Sequence, residues 1–515
     1  MDLVSERRDL RRLAVVSTSL ALALILLLAL AARAQAAETI YWDNYDNASD
    51  ADTVSFADIN GGGGGLLSLG SAKLDQPEGM AYDTVTNRLF VASSGNDEIV
   101  AISLDGGGGA AFTAPGAVID EPEGVTVDPA TRTIYWVNSE GAGSIGWAKL
   151  DGSAGGLLDT TGATLDGPYK IALDPVAGRL YWINSGANPY SISYISVNGG
   201  SGGTLNLDGA TPSTGLSALV VDPAGGRIYF SDGNNDRVSF AALSGGNGGD
   251  LNLTGASIDE PYGLAFDPSL SRLYWGNYGN GNVATGAIGF VNLAGGGGGI
   301  TPTTAPVNGP QDPVIIKSPS GTGAPAVTRD TKNRAALSCS DGIWGADYAG
   351  SFVYQAPRSF AYQWTRNGAA IAGATAATYT AVKAGSYACV VTATNQAGTG
   401  SQTSTAVNVK AAKIKLSTKK KAKADAGDLV TFKVKAVNQG DLKPKNAKLC
   451  VKLPRAAKDD LKAPKCKKLG LKGKAKKTLT LKVKVKPGAD EGTDKLTFQV
   501  KGSAGKAAKS KIIVG

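Results

Sequence analysis

The sequence contains no histidine. Histidine is the commonest general base at neutral pH and the commonest metal-binding side chain. Its absence excludes Ser-His-Asp and Cys-His nucleophile systems and zinc sites with histidine ligands. Only carboxylate, lysine or tyrosine chemistry remains open to this chain.

Cysteine is scarce and confined to the C-terminal third of the chain. The four cysteines are Cys339, Cys389, Cys450 and Cys466. Disulfides persist in proteins that leave the reducing cytosol. If the chain is exported, up to two bridges are expected, both beyond residue 338.

Long apolar runs are also rare, and the one clear example lies at the start. An Arg-rich segment precedes an apolar run from Leu13 to Ala32, and the small-x-small triplet Ala34-Gln35-Ala36 follows. This order is typical of an export signal, so we predict a signal peptide at 1–37 and a secreted or cell-surface protein. Because about 20 apolar residues can span a bilayer, an uncleaved membrane anchor is the alternative.

Acidic residues are few at the C-terminal end. Residues 411–515 carry 30 Lys and Arg against 8 Asp and Glu, whereas 38–410 carry 17 against 33. The basic segment predicts contact with an anionic cell-wall polymer or a membrane surface; solubility and protection of strand edges are the plainer explanation. Nucleic acid is not an expected partner, because no aromatic stacking platform accompanies the charge.

What the sequence has in abundance is a repeat of about 46 residues. The segments "PEGMAYDTVTNRLFVAS", "PEGVTVDPATRTIYWVN", "PYKIALDPVAGRLYWIN", "LSALVVDPAGGRIYFSD" and "PYGLAFDPSLSRLYWGN" begin at residues 77, 122, 168, 216 and 261. Each unit reads as a buried strand, an aromatic strand, a third alternating strand and a brief fourth strand. Four antiparallel strands in each of six units predict a six-bladed β-propeller.

Glycine-rich turns recur with the same period. They begin at Gly61, Gly106, Gly152, Gly199, Gly245 and Gly295. None is followed by Lys-Ser/Thr and none opens a helix, so they are not phosphate-binding loops. We predict hairpin turns between the third and fourth strands, where positive φ is required.

The repeat resembles the YWTD repeats (class B repeats) of low-density-lipoprotein-receptor-type proteins. The resemblance rests on Pro-x-Gly, the Asp that follows, and Tyr-Trp or its variants, and it covers about 38–318. Since the chain enters on "ETIYWDN", which matches a second strand, "GPQDPVIIKSP" at 309–319 is expected to supply the missing innermost strand and close the ring.

The loops that enter the innermost strands should surround one mouth of the central channel. Propellers of the resembled family commonly bind partners near this face, so these positions are the candidate binding residues. They are Glu78, Glu123, Tyr169, Ser217, Tyr262 and Gln311. A mixture of carboxylates and tyrosines suits a cationic peptide or a sugar, although such positions are also ordinary turn residues.

Two sets of oxygen-bearing side chains are interpreted as structural. The aligned aspartates, one in each repeat, are expected to accept backbone N–H groups or to pair with Arg88, Arg179, Arg227 and Arg272, because one active site does not need five copies. The segment "DNYDNASDAD" at 43–52 could hold Ca²⁺, but it lacks EF-hand spacing and is predicted to be a plain turn. No metal or cofactor is expected.

Two β-sandwich domains are predicted after a linker at 319–327. Residues 328–410 resemble an immunoglobulin-like domain, which implies a Cys339–Cys389 bridge, a packed Trp364 and a tyrosine corner at Tyr387. Residues 411–515, with "TFKVKAV" and "LTLKVKVK", are similar to the sandwich repeats of bacterial surface stalks, and Cys450 and Cys466 are expected to pair. The fold class is therefore all-β: a six-bladed propeller at 38–318 and two C-terminal immunoglobulin-like sandwiches.

The function most consistent with these features is a monomeric, non-enzymatic binding or adhesion protein that presents its propeller face to a protein or glycan ligand. A propeller hydrolase acting on lactones or esters with a channel metal is the alternative, and it requires an asymmetric cluster of Asp, Asn and Glu in one mouth. A purely structural surface component is the third class.

Overall fold

The computed structural model describes residues 38–45, 52–61, 63–279, 286–294, 297–349, 353–354, 359–395 and 397–515. The predicted export signal, most of the acidic 43–52 segment and the turn at Gly295 lie outside the described residues. Among the described residues, no helix has the length and apolar character that a membrane span needs.

Strands are almost the only regular secondary structure of the described residues. The first 24 are β1 (Thr39–Asn44), β2 (Thr53–Asp58), β3 (Gly64–Leu66), β4 (Pro77–Asp83), β5 (Arg88–Ser93), β6 (Glu98–Ser103), β7 (Gly108–Ala111), β8 (Pro122–Asp128), β9 (Thr133–Asn138), β10 (Ser144–Lys149), β11 (Gly155–Leu157), β12 (Pro168–Asp174), β13 (Arg179–Asn184), β14 (Ser191–Ser196), β15 (Gly202–Thr204), β16 (Leu216–Asp222), β17 (Arg227–Asp232), β18 (Arg237–Ala242), β19 (Gly249–Asp250), β20 (Pro261–Asp267), β21 (Arg272–Asn277), β22 (Ala287–Asn292), β23 (Gly298–Ile300) and β24 (Val314–Ile316). Single turns of 3-10 helix stand at Ser94–Asn96 and Gly233–Asn235.

The remaining elements follow from residue 321 onward. They are β25 (Gly321–Gly323), β26 (Val327–Arg329), β27 (Ala336–Cys339), β28 (Ile343–Trp344), β29 (Tyr348–Ala349), β30 (Val353–Tyr354), β31 (Ser359–Arg366), β32 (Ala369–Ala370), β33 (Thr378–Thr380), β34 (Gly385–Asn395), β35 (Gly398–Thr403), β36 (Val407–Val409), β37 (Ile414–Ser417), β38 (Lys421–Ala424), β39 (Leu429–Asn438), β40 (Lys448–Lys452), α1 (Ala457–Asp460), β41 (Leu461–Lys462), β42 (Lys467–Lys468), β43 (Lys476–Val485), β44 (Gly492–Lys501), β45 (Gly505–Lys506) and β46 (Ala508–Val514).

The repeats form the blades of a β-propeller. Blades 1 to 5 are four-stranded antiparallel sheets that begin with β4, β8, β12, β16 and β20. These innermost strands contact one another in a ring that β24 completes by touching both β20 and β4. Because the innermost strands are buried on both faces, their sequences are apolar nearly throughout.

The sixth blade closes the ring with strands from both ends of the propeller sequence. In this blade β24 pairs with β1, Thr39 lying opposite Ile316 and Tyr41 opposite Val314, and β2 and β3 follow outward. The predicted closure by 309–319 is thereby confirmed. The blade is also extended inward by β29 and β30, an addition that no feature of the repeat predicts.

The glycine-rich turns are hairpin turns as predicted, and the structure also explains their surplus glycines. Gly106 and Gly199, for example, have φ of 84° and 78° between a third and a fourth strand. Further glycines are needed because the segment that connects two blades places an alanine against the outermost strand of the next blade. The paired residues are Gly64 with Ala305, Gly109 with Ala72, Gly155 with Ala117, Gly202 with Ala163, Gly248 with Ala210, and Gly298 with Ala256.

The aligned aspartates are structural. Each accepts a backbone N–H of the turn that follows its strand, as Asp83 does from Val85 at 3.0 Å and Asp174 from Val176 at 2.9 Å. The equivalent bonds are made by Asp128, Asp222 and Asp267. The proposed arginine partners are placed differently: Arg179, Arg227 and Arg272 stack on the rings of Tyr194, Phe240 and Phe290.

The contacts divide the chain into two compact units. The described residues up to Ser320, with Gly345–Ser359 and Ala393–Gly400, form the propeller unit, and Gly321–Trp344, Phe360–Thr392 and Ser401–Gly515 form the sandwich unit. The domain boundaries given above stay predictions.

The first sandwich of the second unit pairs a sheet of β26, β27 and β33 with a sheet containing β31 and β34. A disulfide joins Cys339 to Cys389 across the two sheets, as predicted. Trp364 is fully buried, and the hydroxyl of Tyr387 donates to the carbonyl of Lys383 at 2.6 Å.

The second sandwich has two five-stranded sheets. Their orders are β41-β43-β39-β37-β45 and β38-β46-β44-β40-β42. Alternate residues face an apolar core in which the rings of Phe432 and Phe498 lie 5.1 Å apart. The second predicted disulfide, Cys450–Cys466, is present.

Candidate functional site: one mouth of the propeller channel

The predicted binding residues are positioned by an irregularity at the start of each innermost strand. In blades 1, 2 and 4 the pairing skips one residue after the first, which leaves Glu78, Glu123 and Ser217 as the extra residue of a β-bulge. A bulge bends the strand and redirects a side chain. In these three blades the repeat therefore places a variable side chain at the start of the innermost strand, at the same end of the channel.

In blade 3 the bulged residue is Lys170, which the sequence analysis did not select. Blades 1, 2 and 5 have glycine at this position, and the innermost strands approach closely there: a Cβ on Gly124 would lie 2.8 Å from the Cα of Lys170. Lys170 itself has a φ of 43° and is only 3% exposed. The signal was the departure of "PYK" from the Pro-x-Gly pattern.

The ammonium group of Lys170 joins residues from three parts of the ring. It donates to Asp312 Oδ2 at 2.8 Å and to Gln311 Oε1 at 3.2 Å, and it lies 3.3 Å from Glu78 Oε2. It also donates to the backbone carbonyl of Glu78. Burial alone would lower the pKa of Lys170, but the charges of Asp312 and Glu78 outweigh it and raise the pKa, so the group stays an ammonium ion.

A further carboxyl group, that of Asp43 on β1, is completely buried near this ammonium group. Within the described part of the chain, neither of its oxygens has a hydrogen-bond partner. Burial and the charge of Asp312 raise the pKa of Asp43 well above its usual range, although Lys170 acts in the opposite direction.

The mouth carries the acidic side chains of Glu78, Glu123 and Asp312. The single ammonium group of Lys170 can neutralise only one negative charge. Burial raises the pKa of Glu78 despite the lowering effect of Lys170. Burial, followed by the charge of Glu78, raises the pKa of Glu123 to about 7. The hydroxyl of Ser139 donates to Glu123 Oε1 at 3.1 Å. Glu123 therefore changes its charge within the physiological pH range.

Tyrosines form the wall beside these acids. The hydroxyl of Tyr169 donates to Glu78 Oε2 at 3.2 Å, and the rings of Tyr262 and Tyr278 lie 5.4 Å apart. Tyr169, Tyr190 and Tyr262 line a depression of about 340 Å³. Tyrosine offers an apolar face and a polar end, which suits a binding surface.

The structure thus brings the predicted residues together at this mouth, and Ser217 lines the same depression as Tyr169 and Tyr262. Glu78, Tyr169 and Gln311 meet at Lys170, and the pKa values of Glu123 and Tyr262 both respond to the charge of Glu78. Ser217 is buried, and its hydroxyl donates to the carbonyl of Pro261 and shares a hydrogen bond with Ser231. That arrangement ties two blades together.

The channel is narrow beneath this mouth. A cavity of about 10 Å³, room for one water molecule, lies among Lys170, Asp312 and the innermost strands. Toward the other end, Tyr348 of β29 packs its ring 5.4 Å from that of Tyr82 and accepts a hydrogen bond from the Tyr82 backbone.

Among the described residues, no three carboxylate or cysteine side chains converge as metal ligands do.

No known protein family matches the chain, and no curated protein does. Solved structures show partial likeness. A chain of a nidogen/laminin complex is 20% identical with a TM-score of 0.40, covering 50% of this chain and 90% of that one.

Two further structures give similar values. A hydrazine synthase chain from Kuenenia stuttgartiensis is 18% identical with a TM-score of 0.36, covering 47% of this chain and 70% of that one. A chain assigned as TolB from Agrobacterium tumefaciens is 12% identical with a TM-score of 0.36, covering 55% of this chain and 99% of that one.

Proposed function

We propose that this protein is an exported, monomeric binding protein whose propeller mouth receives a cationic segment of a partner protein. The observation that carries the proposal is the excess of carboxyl groups over ammonium groups at the mouth, where Glu78 accepts a hydrogen bond from Tyr169 of the tyrosine-lined depression and the charge of Glu78 reaches Glu123. A lysine or arginine of a partner would supply the missing positive charge, and its aliphatic stem would pack on Tyr262.

The proposal extends to the type of the domains. The Cys339–Cys389 bridge, the buried Trp364 and the Tyr387–Lys383 hydrogen bond support an immunoglobulin-like first sandwich. The period and the Tyr-Trp positions support a YWTD-type propeller. Two disulfides support an oxidising, extracellular setting.

A display library of short peptides tests the proposed function. The full chain is expected to enrich peptides that contain lysine or arginine, and Glu123→Gln should weaken the enriched peptides by about 1.5 kcal/mol, roughly tenfold in Kd. Asp151→Asn is the matched control, because it removes one carboxylate from an exposed turn at the other end of blade 2. Enrichment of acidic or uncharged peptides, or equal losses in both variants, would refute the proposal.

The hydrolase alternative predicts a different behaviour of the same protein. Purified chain supplied with Ca²⁺ should then bind the ion stoichiometrically and turn over a simple lactone or aryl ester. The ammonium group of Lys170 occupies the place on the axis where a channel metal would bind, and the cavity beneath it measures only about 10 Å³. Both features favour binding at the mouth instead. Turnover that requires the metal would overturn the binding proposal.

A further inference from the structure

The outward face of the second sheet of the second sandwich carries lysines aligned in rows across its strands. Strand register places Lys421 of β38 opposite Lys511 of β46, and Lys511 opposite Lys495 of β44. A second row runs from Lys501 of β44 through Lys448 of β40 to Lys468 of β42.

These rows are unfavourable for the isolated domain. Neighbouring strands are about 4.8 Å apart, and like charges directly opposite each other destabilise a sheet. Protection of strand edges by lysine does not account for them, because β46, β44 and β40 are interior strands of this sheet.

The other sheet of the same sandwich shows that the rows are not forced by composition. In its central strand pair no outward lysine lies opposite another lysine: Lys433, Lys435 and Lys482 face Thr480, Thr478 and Thr431, and Lys476 and Lys484 face Val437 and Leu429. Its lysine pairs, Lys415–Lys506 and Lys462–Lys484, involve the strands at its two edges and extend across only two strands.

The other outward positions of this sheet indicate the class of ligand. Between the rows lie Thr497 and Gln499 of β44, with Lys509, Lys452 and Cys450 on the neighbouring strands, and Thr493 and Ile513 lie beyond the first row. The outward positions of the described strands of this sheet carry no carboxylate. A surface that inserts into a membrane couples its basic residues to apolar ones. A polar, pleated, cationic face is better suited to an extended polyanion.

The use of lysine and not arginine indicates how the face would contact a polyanion. Residues 411–515 contain 29 lysines but only one arginine, Arg455. Arginine holds carboxylate and phosphate alike by two parallel hydrogen bonds, whereas lysine acts as a point charge, for which phosphate is a common partner. The face is therefore suited to a polyanion recognised by the spacing of its charges, and among such polymers we choose a polyphosphate ester.

We propose that this lysine face binds a linear phosphate polymer, such as a polyol phosphate of a cell wall. Each aligned row would place its ammonium ions along successive phosphates, and the polymer would remove the repulsion that the unliganded sheet bears. The proposal is independent of the propeller mouth.

Two triple variants of the full chain test it. Lys421→Gln/Lys495→Gln/Lys511→Gln removes three charges from the lysine face, and Lys433→Gln/Lys435→Gln/Lys482→Gln removes three from the other sheet. Binding to poly(glycerol phosphate) is measured by calorimetry as salt is raised from low concentration. The first triple is expected to lose roughly tenfold or more in affinity and to lower the dependence of log K on log salt by about two, as released counterions require. The second triple should stay close to the unmodified chain.

Thermal unfolding separates loss of binding from loss of fold. Because the first triple removes repulsion between strands, its sandwich should melt no lower than the unmodified one. Equal loss of affinity in both triples would overturn the proposal, since net charge alone would then explain binding. Equal affinity for polygalacturonate would overturn the assignment to phosphate, and tighter binding to anionic phosphatidylglycerol vesicles would assign the face to a membrane instead.

Discussion

At the scale of single residues, the arrangement of the candidate site depends on Lys170, the residue that departs from the Pro-x-Gly pattern of the repeat. Recurrent positions could be predicted because every blade repeats their geometry, and Glu78, Tyr169 and Gln311 do meet at one point. Lys170 was missed because its position is glycine in three of the other repeats, and Asp43, which was assigned to the predicted turn at 43–52, was missed as a buried residue because its burial depends on how the ring closes. A repeat predicts the backbone geometry that the blades share, whereas the charges near the channel axis depend on the residues at which the blades differ.

Replacement of Lys170 tests its role as the charge that holds the mouth together. Lys170→Met leaves the carboxylates of Glu78 and Asp312 without their buried counter-ion, so the propeller should lose about 3 to 5 kcal/mol in its free energy of unfolding. Denaturant unfolding gives this value. Adding Asp312→Asn should restore part of the loss; a single variant as stable as the unmodified chain would contradict the assigned role.

The proposed binding at the mouth should depend on pH through Glu123. Its pKa of about 7 means that the carboxylate is charged at pH 8 and protonated at pH 6, so a cationic peptide should bind more weakly as pH falls through 7. Affinity measured between pH 6 and 8 checks this, and Glu123→Gln should flatten the profile. A profile that stays steep in the variant would assign the dependence to another group.

The same shift affects stability with a defined sign. Because the folded state holds the Glu123 proton more tightly than the unfolded state, this group contributes stability at acidic pH that is lost as pH rises through 7. The free energy of unfolding of the propeller should therefore decline from pH 5 to 8, and less steeply in Glu123→Gln.

At the scale of elements, glycine has two separate roles in each blade. One glycine supplies the positive φ of the hairpin turn, and the next lies in or beside the fourth strand, where an alanine of the interblade connection packs against it. The glycine-rich segments that recur once in each repeat predicted the turns. It could not predict the second role, because that role depends on a contact between neighbouring blades.

Gly202 tests the packing role without a change in turn geometry. A Cβ on Gly202 would lie 2.6 Å from the Cβ of Ala163 and 2.6 Å from the carbonyl oxygen of Tyr194, so Gly202→Ala should destabilise the propeller by about 1 to 3 kcal/mol. Gly107→Ala is the matched control, since its nearest neighbour would be 3.5 Å away. Equal unfolding midpoints for the two variants would refute the packing explanation.

At the scale of the whole molecule, the repeat spacing predicted the all-β class and the way the ring closes, because both depend on a pattern written along the chain. The addition of β29 to the closing blade was beyond prediction, since Tyr348 lies outside the repeat and joins the propeller through tertiary contacts alone.

The two compact units carry their crosslinks unequally. Both disulfides lie in the sandwich unit, and each typically contributes about 2 to 5 kcal/mol to a small domain. In scanning calorimetry, a reducing agent should lower the transition of the sandwich unit and leave that of the propeller in place. A reductant-sensitive propeller transition would show that the units do not unfold separately.

The closing blade also determines how the propeller responds to mechanical force. Thr39 at the start of β1 lies opposite Ile316 at the end of β24, so residues 38 and 317 leave the blade from the same end of the strand pair. Tension between them would peel the hydrogen bonds apart one after another, a weaker geometry than shear. Lys317, which pairs with Asp267 and lies 3.7 Å from Glu38, stands where that peeling would begin. In a tethered protein, this ion-pair group would be the first to bear the load.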